Sequence, residues 1–295
     1  MEAVVIGGPA SNGIDNEIAK KLNLKREKLE HKIFPDGESY IRYPIELEGK
    51  QVIIVQSLYP PQDKHLVELL LALDAAKDLG AAKVIAVVPY LAYSRQDRRF
   101  RGGEAVSIKT VLKALRSAGA DALITVDVHK EESLNYFEGS SINVLPLREL
   151  VAYFEDKLSE PLVIAPDKGA VRRAREAANI LNCPYDYLEK SRNRITGEVS
   201  LSLKGVDVRN RDVLIVDDII STGGTMALAS RRLRELGARR VFAACTHALL
   251  RRGALKKLVN AGVHEVVATN TVPSEISKVS VASAIAEALR KLISV

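Results

Sequence analysis

Six short apolar runs constrain the fold more than any other feature of this chain. They are "VIIVQ" from Val52, "KVIAVVP" from Lys83, "ALITVD" from Ala122, "PLVIAP" from Pro161, "VLIVDD" from Val213 and "RVFAACT" from Arg240. Each is continuous rather than alternating, which suits strands buried on both faces, and segments of helical period lie between them. In "KHLVELLLALDAAKDLG", Leu66, Leu69, Leu70 and Leu73 recur at helical spacing. Such alternation predicts βαβ units, an α/β fold of mainly parallel sheets with helices on both faces.

A repeat underlies the pattern. The stretch "VIIVQSLYPPQDKHLVELLLALDAAKDLGAAKVIAVVP" can be laid on "VLIVDDIISTGGTMALASRRLRELGARRVFAACT", with Leu79-Gly80-Ala81 on Leu236-Gly237-Ala238. Further on, "AGADALITVD" matches "AGVHEVVATN" in the same order. With 295 residues available, the reading is two domains of one fold, 1–145 and 146–295. No basic segment followed by an apolar one opens the chain, and no apolar run nears the roughly 20 residues that span a bilayer, so a soluble, cytoplasmic protein without a membrane partner is expected. Cys183 and Cys245 lack metal-type spacing and read as small apolar residues. The net charge of +6 suits either a nucleic acid or a small polyanionic substrate, and the grouping of arginines decides between them.

The two copies differ at one place. In "VLIVDDIISTGGT" (213–225) the strand should deliver Asp217 and Asp218 to the carboxyl end of the sheet, where such folds bind ligands. Ser221, Thr222, Gly223, Gly224 and Thr225 should then turn into a helix, whose free N–H groups and positive dipole end suit a phosphate. Paired carboxylates beside that turn can accept hydrogen bonds from vicinal hydroxyls, so the implied ligand is a sugar monophosphate. In the first copy Gln56 and Ser57 replace the carboxylates and "YPPQDK" replaces the glycine turn. That half has lost the site and kept the scaffold.

The thirteen residues resemble the phosphoribosyl-binding motif of the phosphoribosyltransferase fold. "FPDGESYIR" (34–42), "YLAYSRQDRRFRGGE" (90–104), "DVHK" (127–130), "APDKGAVRRA" (165–174) and "EKSRNR" (189–194) follow in the order found in ribose-phosphate pyrophosphokinases, over essentially the whole chain. The resemblance implies two phosphoribosyltransferase-type domains that transfer the diphosphoryl group of ATP to the C1 hydroxyl of ribose 5-phosphate. Arg95, Gln96, Asp97, Arg98 and Arg99 lie in a loop suited to a polyphosphate, because guanidinium forks bind phosphate oxygens bidentately. The resemblance assigns that loop to ATP rather than nucleic acid, and it implies that Phe34, Asp36 and Glu38 contact adenine from a neighbouring subunit. A homo-oligomer with shared sites follows from that assignment.

His129 with Asp167 would hold Mg²⁺, and His129 also falls in the ATP set. Lys190 and Arg192, by themselves an exposed charged hairpin ending in a Thr-Gly turn, would in this family close over the transferred group. Asp217, Asp218 and residues 221–225 would hold ribose 5-phosphate. Ser221 stands where many bacterial and animal relatives carry Asp, a departure shared with an archaeal-type branch. No G-x-x-x-x-G-K-[ST] occurs, so a P-loop kinase is not supported. A salvage phosphoribosyltransferase would need neither the Phe34 turn, the Arg95 loop nor Lys190. A regulatory, nucleic-acid-binding relative would be expected to have lost Lys190, Arg192 or His129, and all three are present.

Overall fold

The computed structural model describes residues 2–192, 199–203 and 205–293, which divide into two compact units. In the first, β1 (Ala3–Gly7), α1 (Ile14–Leu22), β2 (Lys25–Lys28), the hairpin β3 (Glu30–Ile33) and β4 (Ser39–Arg42), and β5 (Gln51–Val55) come in order. They are followed by α2 (Gln62–Asp78), β6 (Lys83–Val88), α3 (Ser107–Ser117), β7 (Ala122–Val126) and β8 (Ser140–Val144). The second unit holds α4 (Leu147–Ala152), β9 (Pro161–Ala165), α5 (Val171–Leu181), β10 (Tyr185–Tyr187) and the hairpin β11 (Glu189–Arg192) and β12 (Val199–Ser202). Next come β13 (Asp212–Ile220), α6 (Gly224–Glu235), β14 (Arg240–Ala248), α7 (Ala254–Asn260), β15 (Val263–Thr269) and β16 (Ser277–Val279), and α8 (Ala282–Leu289) ends the chain.

Both units carry a six-stranded, all-parallel sheet with the same order, β2-β1-β5-β6-β7-β8 in one and β10-β9-β13-β14-β15-β16 in the other. Each also sets a two-stranded antiparallel hairpin apart from its sheet, β3–β4 or β11–β12. The repeat extends to a helix end. α2 and α6 both stop at Leu-Gly-Ala, with Gly80 and Gly237 left-handed at φ 79° and 97°. The Ala81 and Ala238 N–H groups donate back to Ala76 and Leu233 carbonyls, the same Schellman closure in both copies.

The strand runs are buried as expected: every residue of β5 and of β7 is inaccessible to solvent. The leucines of α2 are buried only in part. Leu69 and Leu73 face inward, but their buried neighbours are His65, Glu68, Ala72 and Ala76, while Leu66 and Leu70 lie at the margin and Leu71 is exposed. Cys245 is fully buried on β14, whereas Cys183 is only half-buried just past the left-handed cap Asn182.

The expected division into 1–145 and 146–295 needs one correction. Residues from Ser280 onward group with the first unit, leaving Pro146–Val279 as the second. Their apolar face explains this: Val281, Ala282, Ile285 and Leu289 join Ile14, Ile18, Ile85 and Ile124 in one buried cluster. Arg290 donates to the Lys21 carbonyl at 3.0 Å, and Lys83 to the Leu292 carbonyl at 2.6 Å. α4, the helix that follows β8, packs instead on α5 in the second unit through Leu150, Val151 and Phe154. The closing helix of each repeat therefore covers the other unit's sheet.

Ile285→Ala should cost the first unit about 2–5 kcal/mol, the usual range for a large-to-small core change. Hydrogen exchange should then rise in peptides from β5–β7 and stay unchanged in those from β13–β14. Equal effects on both would contradict this allocation of α8.

Candidate active site

β13 carries the paired carboxylates inside the strand rather than just past it. Val213–Val216 are buried, and pairing with β9 stops at Ile215. Pairing with β14 continues through Asp217 opposite Cys245 to Ile220 opposite Ala248. Asp217 and Asp218 thus sit where one neighbouring strand has ended, at the carboxyl edge. Asp217 Oδ1 accepts from the Asp218 N–H at 2.9 Å, and Asp218 Oδ1 from the Ile219 N–H at 2.8 Å. Each carboxylate is oriented by the backbone through one oxygen.

The two are not equivalent. Asp218 Oδ2 lies 3.6 Å from the guanidinium of Arg173 on α5, and both side chains are almost wholly buried. Burial raises the protonation of Asp217 well above the usual carboxylate range; the charge and side chain of Asp218, with a smaller contribution from Asp167, push the same way, and the Asp218 N–H opposes them. One carboxylate faces a cation at close range. The other faces carboxylates.

Asp167, exposed at the end of β9, accepts from the Gly169 N–H at 2.8 Å and caps the short turn that leads into α5. Arg173 lies within the "APDKGAVRRA" stretch, but the sequence reading gave it no role. The signal available was position: Arg173 lies one turn before Ala177 on a helix whose inner face is otherwise Ala174, Ala177 and Ala178, so a cation there needs a buried partner.

After Ile220 the chain turns through Ser221 and Thr222 into α6. Gly223 is left-handed at φ 68°, and a Cβ there would lie 3.1 Å from the Ala254 carbonyl oxygen and 3.4 Å from Leu258. Conformation and space both require glycine. No side chain caps α6; Thr222 Oγ1 only approaches the Gly224 N–H at 3.4 Å, and the first full helical bond is Ala227 N–H to Gly223 carbonyl at 2.9 Å. Thr222 and Thr225 are exposed, and Ser221 and Gly224 half-buried. An uncapped helix start of this kind attracts an anion.

Lys190 and Arg192 fall on β11, opposite Leu201 and Val199 of β12, so the expected antiparallel hairpin is present. Its Thr196-Gly197 turn lies outside the described residues. In the first unit Phe34, Asp36 and Glu38 form the tip between β3 and β4. There Glu38 closes on Phe34 through a 2.8 Å backbone bond, Asp36 accepts from the Glu38 N–H, and Gly37 is left-handed at φ 98°. Phe34 is exposed, edge-on to Tyr40 with the Lys32 ammonium 4.9 Å above its ring.

Arg95, Gln96, Arg98 and Arg99 are exposed in the loop after β6 and Asp97 is half-buried. The Glu104 carboxylate shapes that loop by accepting from the N–H groups of Phe100 and Arg101, at 2.8 and 3.0 Å, and its carbonyl accepts from Arg99 Nε. Gln96, Arg98, Phe100, Glu104 and Ala105 line an open cavity of about 300 Å³ there. His129 is half-buried after β7, beyond the left-handed and buried Asp127.

His129 and Asp167 belong to different units. Among the described residues no three His, Cys, Asp or Glu side chains gather closely enough to hold a metal ion, and no helix is long and apolar enough to cross a membrane. The second unit thus brings together Asp167, Arg173, Asp217, Asp218 and the α6 turn. The first gathers the arginine loop and, separately, the Phe34 tip.

Two carboxylates late in a parallel strand of an α/β sheet thus stand beside an uncapped glycine helix start. Residues 148–284 match the family model described as the phosphoribosyl transferase domain, and residues 3–119 that of the N-terminal domain of ribose phosphate pyrophosphokinase. A ribose-phosphate pyrophosphokinase of Sulfurisphaera tokodaii is 50% identical over 98% of this chain and 100% of its own length. One of Methanopyrus kandleri is 48% identical over 95% and 96%. The crystal structure of phosphoribosylpyrophosphate synthetase from Mycobacterium smegmatis superposes with a TM-score of 0.88 at 30% identity, covering 99% of each chain. The chain belongs to the ribose-phosphate pyrophosphokinase family.

The raised protonation of Asp217 has a consequence for stability. A folded-state value above the ordinary 3.8 means that the folded chain holds this proton more tightly than the unfolded chain. The stability it contributes is present at low pH and is lost as pH rises from the ordinary carboxylate range through the folded value. Asp217→Asn cannot ionise, so its melting temperature should match the wild type near pH 4 and exceed it by a few degrees at pH 8. A pH-independent difference in thermal melts would contradict this origin.

Proposed function

We propose that the chain transfers the β,γ-diphosphoryl group of ATP to the C1 hydroxyl of ribose 5-phosphate, giving phosphoribosyl diphosphate and AMP. The observation that carries this reading is the inequivalent pair Asp217 and Asp218 beside the uncapped start of α6. That edge offers acceptors for sugar hydroxyls and N–H donors for a phosphate within one short stretch. The N–H groups of Ser221–Thr225 bind the 5-phosphate, and Asp217 and Asp218 hold the ribose hydroxyls. Asp218 has the Arg173 guanidinium 3.6 Å from its Oδ2.

ATP is the diphosphoryl donor. The loop of Arg95, Gln96, Asp97, Arg98 and Arg99 binds its phosphates, and His129 adds to that set. Phe34, Asp36 and Glu38 receive adenine from a site on a neighbouring subunit, which makes the working enzyme a homo-oligomer. In the transfer the C1 oxygen forms a bond to the β-phosphorus and gives its proton to solvent. The bond from the β-phosphorus to the oxygen it shares with the α-phosphate breaks, and AMP leaves with that oxygen. Lys190 and Arg192 stabilise the charge that develops on the moving group, since phosphoryl transfer depends on positioning and electrostatics more than on covalent chemistry.

The oxygen donors and the excess of negative charge around Asp217 suit a hard divalent cation. His129 and Asp167 would hold Mg²⁺, which when bound neutralises phosphate charge. The excess of positive charge on the chain serves anionic substrates rather than nucleic acid, in a cytoplasmic enzyme.

Phosphorus NMR of the protein with ATP, Mg²⁺ and ribose 5-phosphate should show AMP and a new diphosphate ester. ADP as the product would replace this reading with simple kinase action. Lys190→Ala should lower kcat by roughly 10²-fold with little change in either KM, the size expected for a lost preorganised charge. A loss confined to KM would return β11–β12 to an exposed hairpin without a catalytic part.

A further inference from the structure

The first unit's lost sugar site is not empty scaffold. Gln56, which stands where Asp217 stands in the second unit, accepts from the Ala10 N–H at 2.8 Å and donates to the His65 carbonyl and to Glu68 Oε2, both at 3.3 Å. Glu68 lies on the inner face of α2 and is completely buried. Its Oε1 accepts from Ser39 Oγ at 3.1 Å and lies 2.8 Å from His31 Nε2, a close contact that is not an aligned hydrogen bond. Lys64 stands 3.5 Å from the same oxygen.

His31 is on β3 and Ser39 on β4, so one carboxylate touches both strands of the hairpin whose tip is Phe34-Asp36-Glu38. That hairpin is a two-stranded sheet of its own with no fully buried residue in either strand. An isolated two-stranded hairpin is marginal in water, and this one has little apolar burial to orient it. Tyr43, just beyond β4, is a second tether through its 2.7 Å bond to the Ala72 carbonyl. A buried carboxylate is costly unless paired and hydrogen-bonded, and the groups that meet this one come from α2, the end of β5 and both hairpin strands.

We propose that Glu68 is the positioning residue of the β3–β4 hairpin. From the strand end that lost its sugar site, it grips His31 and Ser39 and so fixes the Phe34 turn for the nucleotide donor. The inference rests on the reading that this turn contacts ATP. It also gives the replacement of an aspartate by Gln56 a purpose, since an amide can donate to Glu68 where a second carboxylate would repel it.

Steady-state kinetics and hydrogen exchange of the full-length protein test it together. Glu68→Ala should raise KM for ATP about 10-fold, in the range of effects of misplaced contact groups, with kcat and KM for ribose 5-phosphate within about 2-fold of wild type. Exchange in a peptide spanning 30–42 should accelerate at least about 10-fold while β5–β7 stay protected. Glu68→Gln, which keeps an acceptor for Ser39, should recover most of both.

If Glu68→Ala fails to fold, the double variant His31→Gln with Ser39→Ala removes the grip from the hairpin side and should reproduce both changes. Unchanged exchange in 30–42 would overturn the anchor. Faster exchange with an unchanged KM for ATP would overturn its role in positioning, provided Phe34→Ala raises that KM. If Phe34→Ala has no effect either, the assignment of the turn to ATP fails, and the positioning role falls with it.

Discussion

A parallel sheet buried on both faces needs crossover connections between its strands, here mostly helices, and this requirement organises the rest of the molecule. Strands such as β5 and β7 contain no exposed residue, so their sequences are committed to apolar packing along their whole length. Polar chemistry is driven to the strand ends and to the loops that follow them. Asp217, Asp218, Asp167, the arginine loop and His129 all lie there, each after or at the close of a strand. The same requirement explains the exchange of closing helices: a sheet face left bare by α4 or α8 would expose a full apolar layer.

The two copies show how one scaffold end can be turned to different uses. At the second, β13 runs on past β9 and presents two carboxylates, one beside Arg173 and one raised in protonation by its surroundings. At the first, Gln56 takes up a backbone N–H and the Glu68 carboxylate, and the space is filled from within by side chains of α2. The difference is one of satisfaction. At the first unit's strand end Gln56 and Glu68 find partners inside the protein, whereas in the second unit Asp217 and Asp218 stand beside a helix start that no side chain caps.

That imbalance is what a binding edge requires. Asp217 ionises at a cost in the protein alone, and an α6 start without a cap leaves N–H groups for an anion rather than for a side chain. A structure optimised for stability alone would cap that helix and neutralise that carboxylate. The local cost is carried by the deep core around β13, where Val213, Leu214, Ile215 and Val216 are all inaccessible.

Much of this was legible in the residues. Continuous apolar runs identified the strands, Leu-Gly-Ala located the matching helix ends, and "DDIISTGGT" located the paired carboxylates beside an uncapped helix start, because each depends on properties of a few adjacent residues. Arg173 and Glu68 were not legible in the same way. Both are charged residues within helices, and on spacing alone they read as solvated; only the packing of α5 on β9 and β13, and of the β3–β4 hairpin on α2, puts them inside. The affiliation of α8 was hidden for a similar reason. Its sequence determined that one face must be buried, but a helix does not encode which of two similar sheets will cover it, and that was decided by tertiary packing against α1, Ile85 and Ile124.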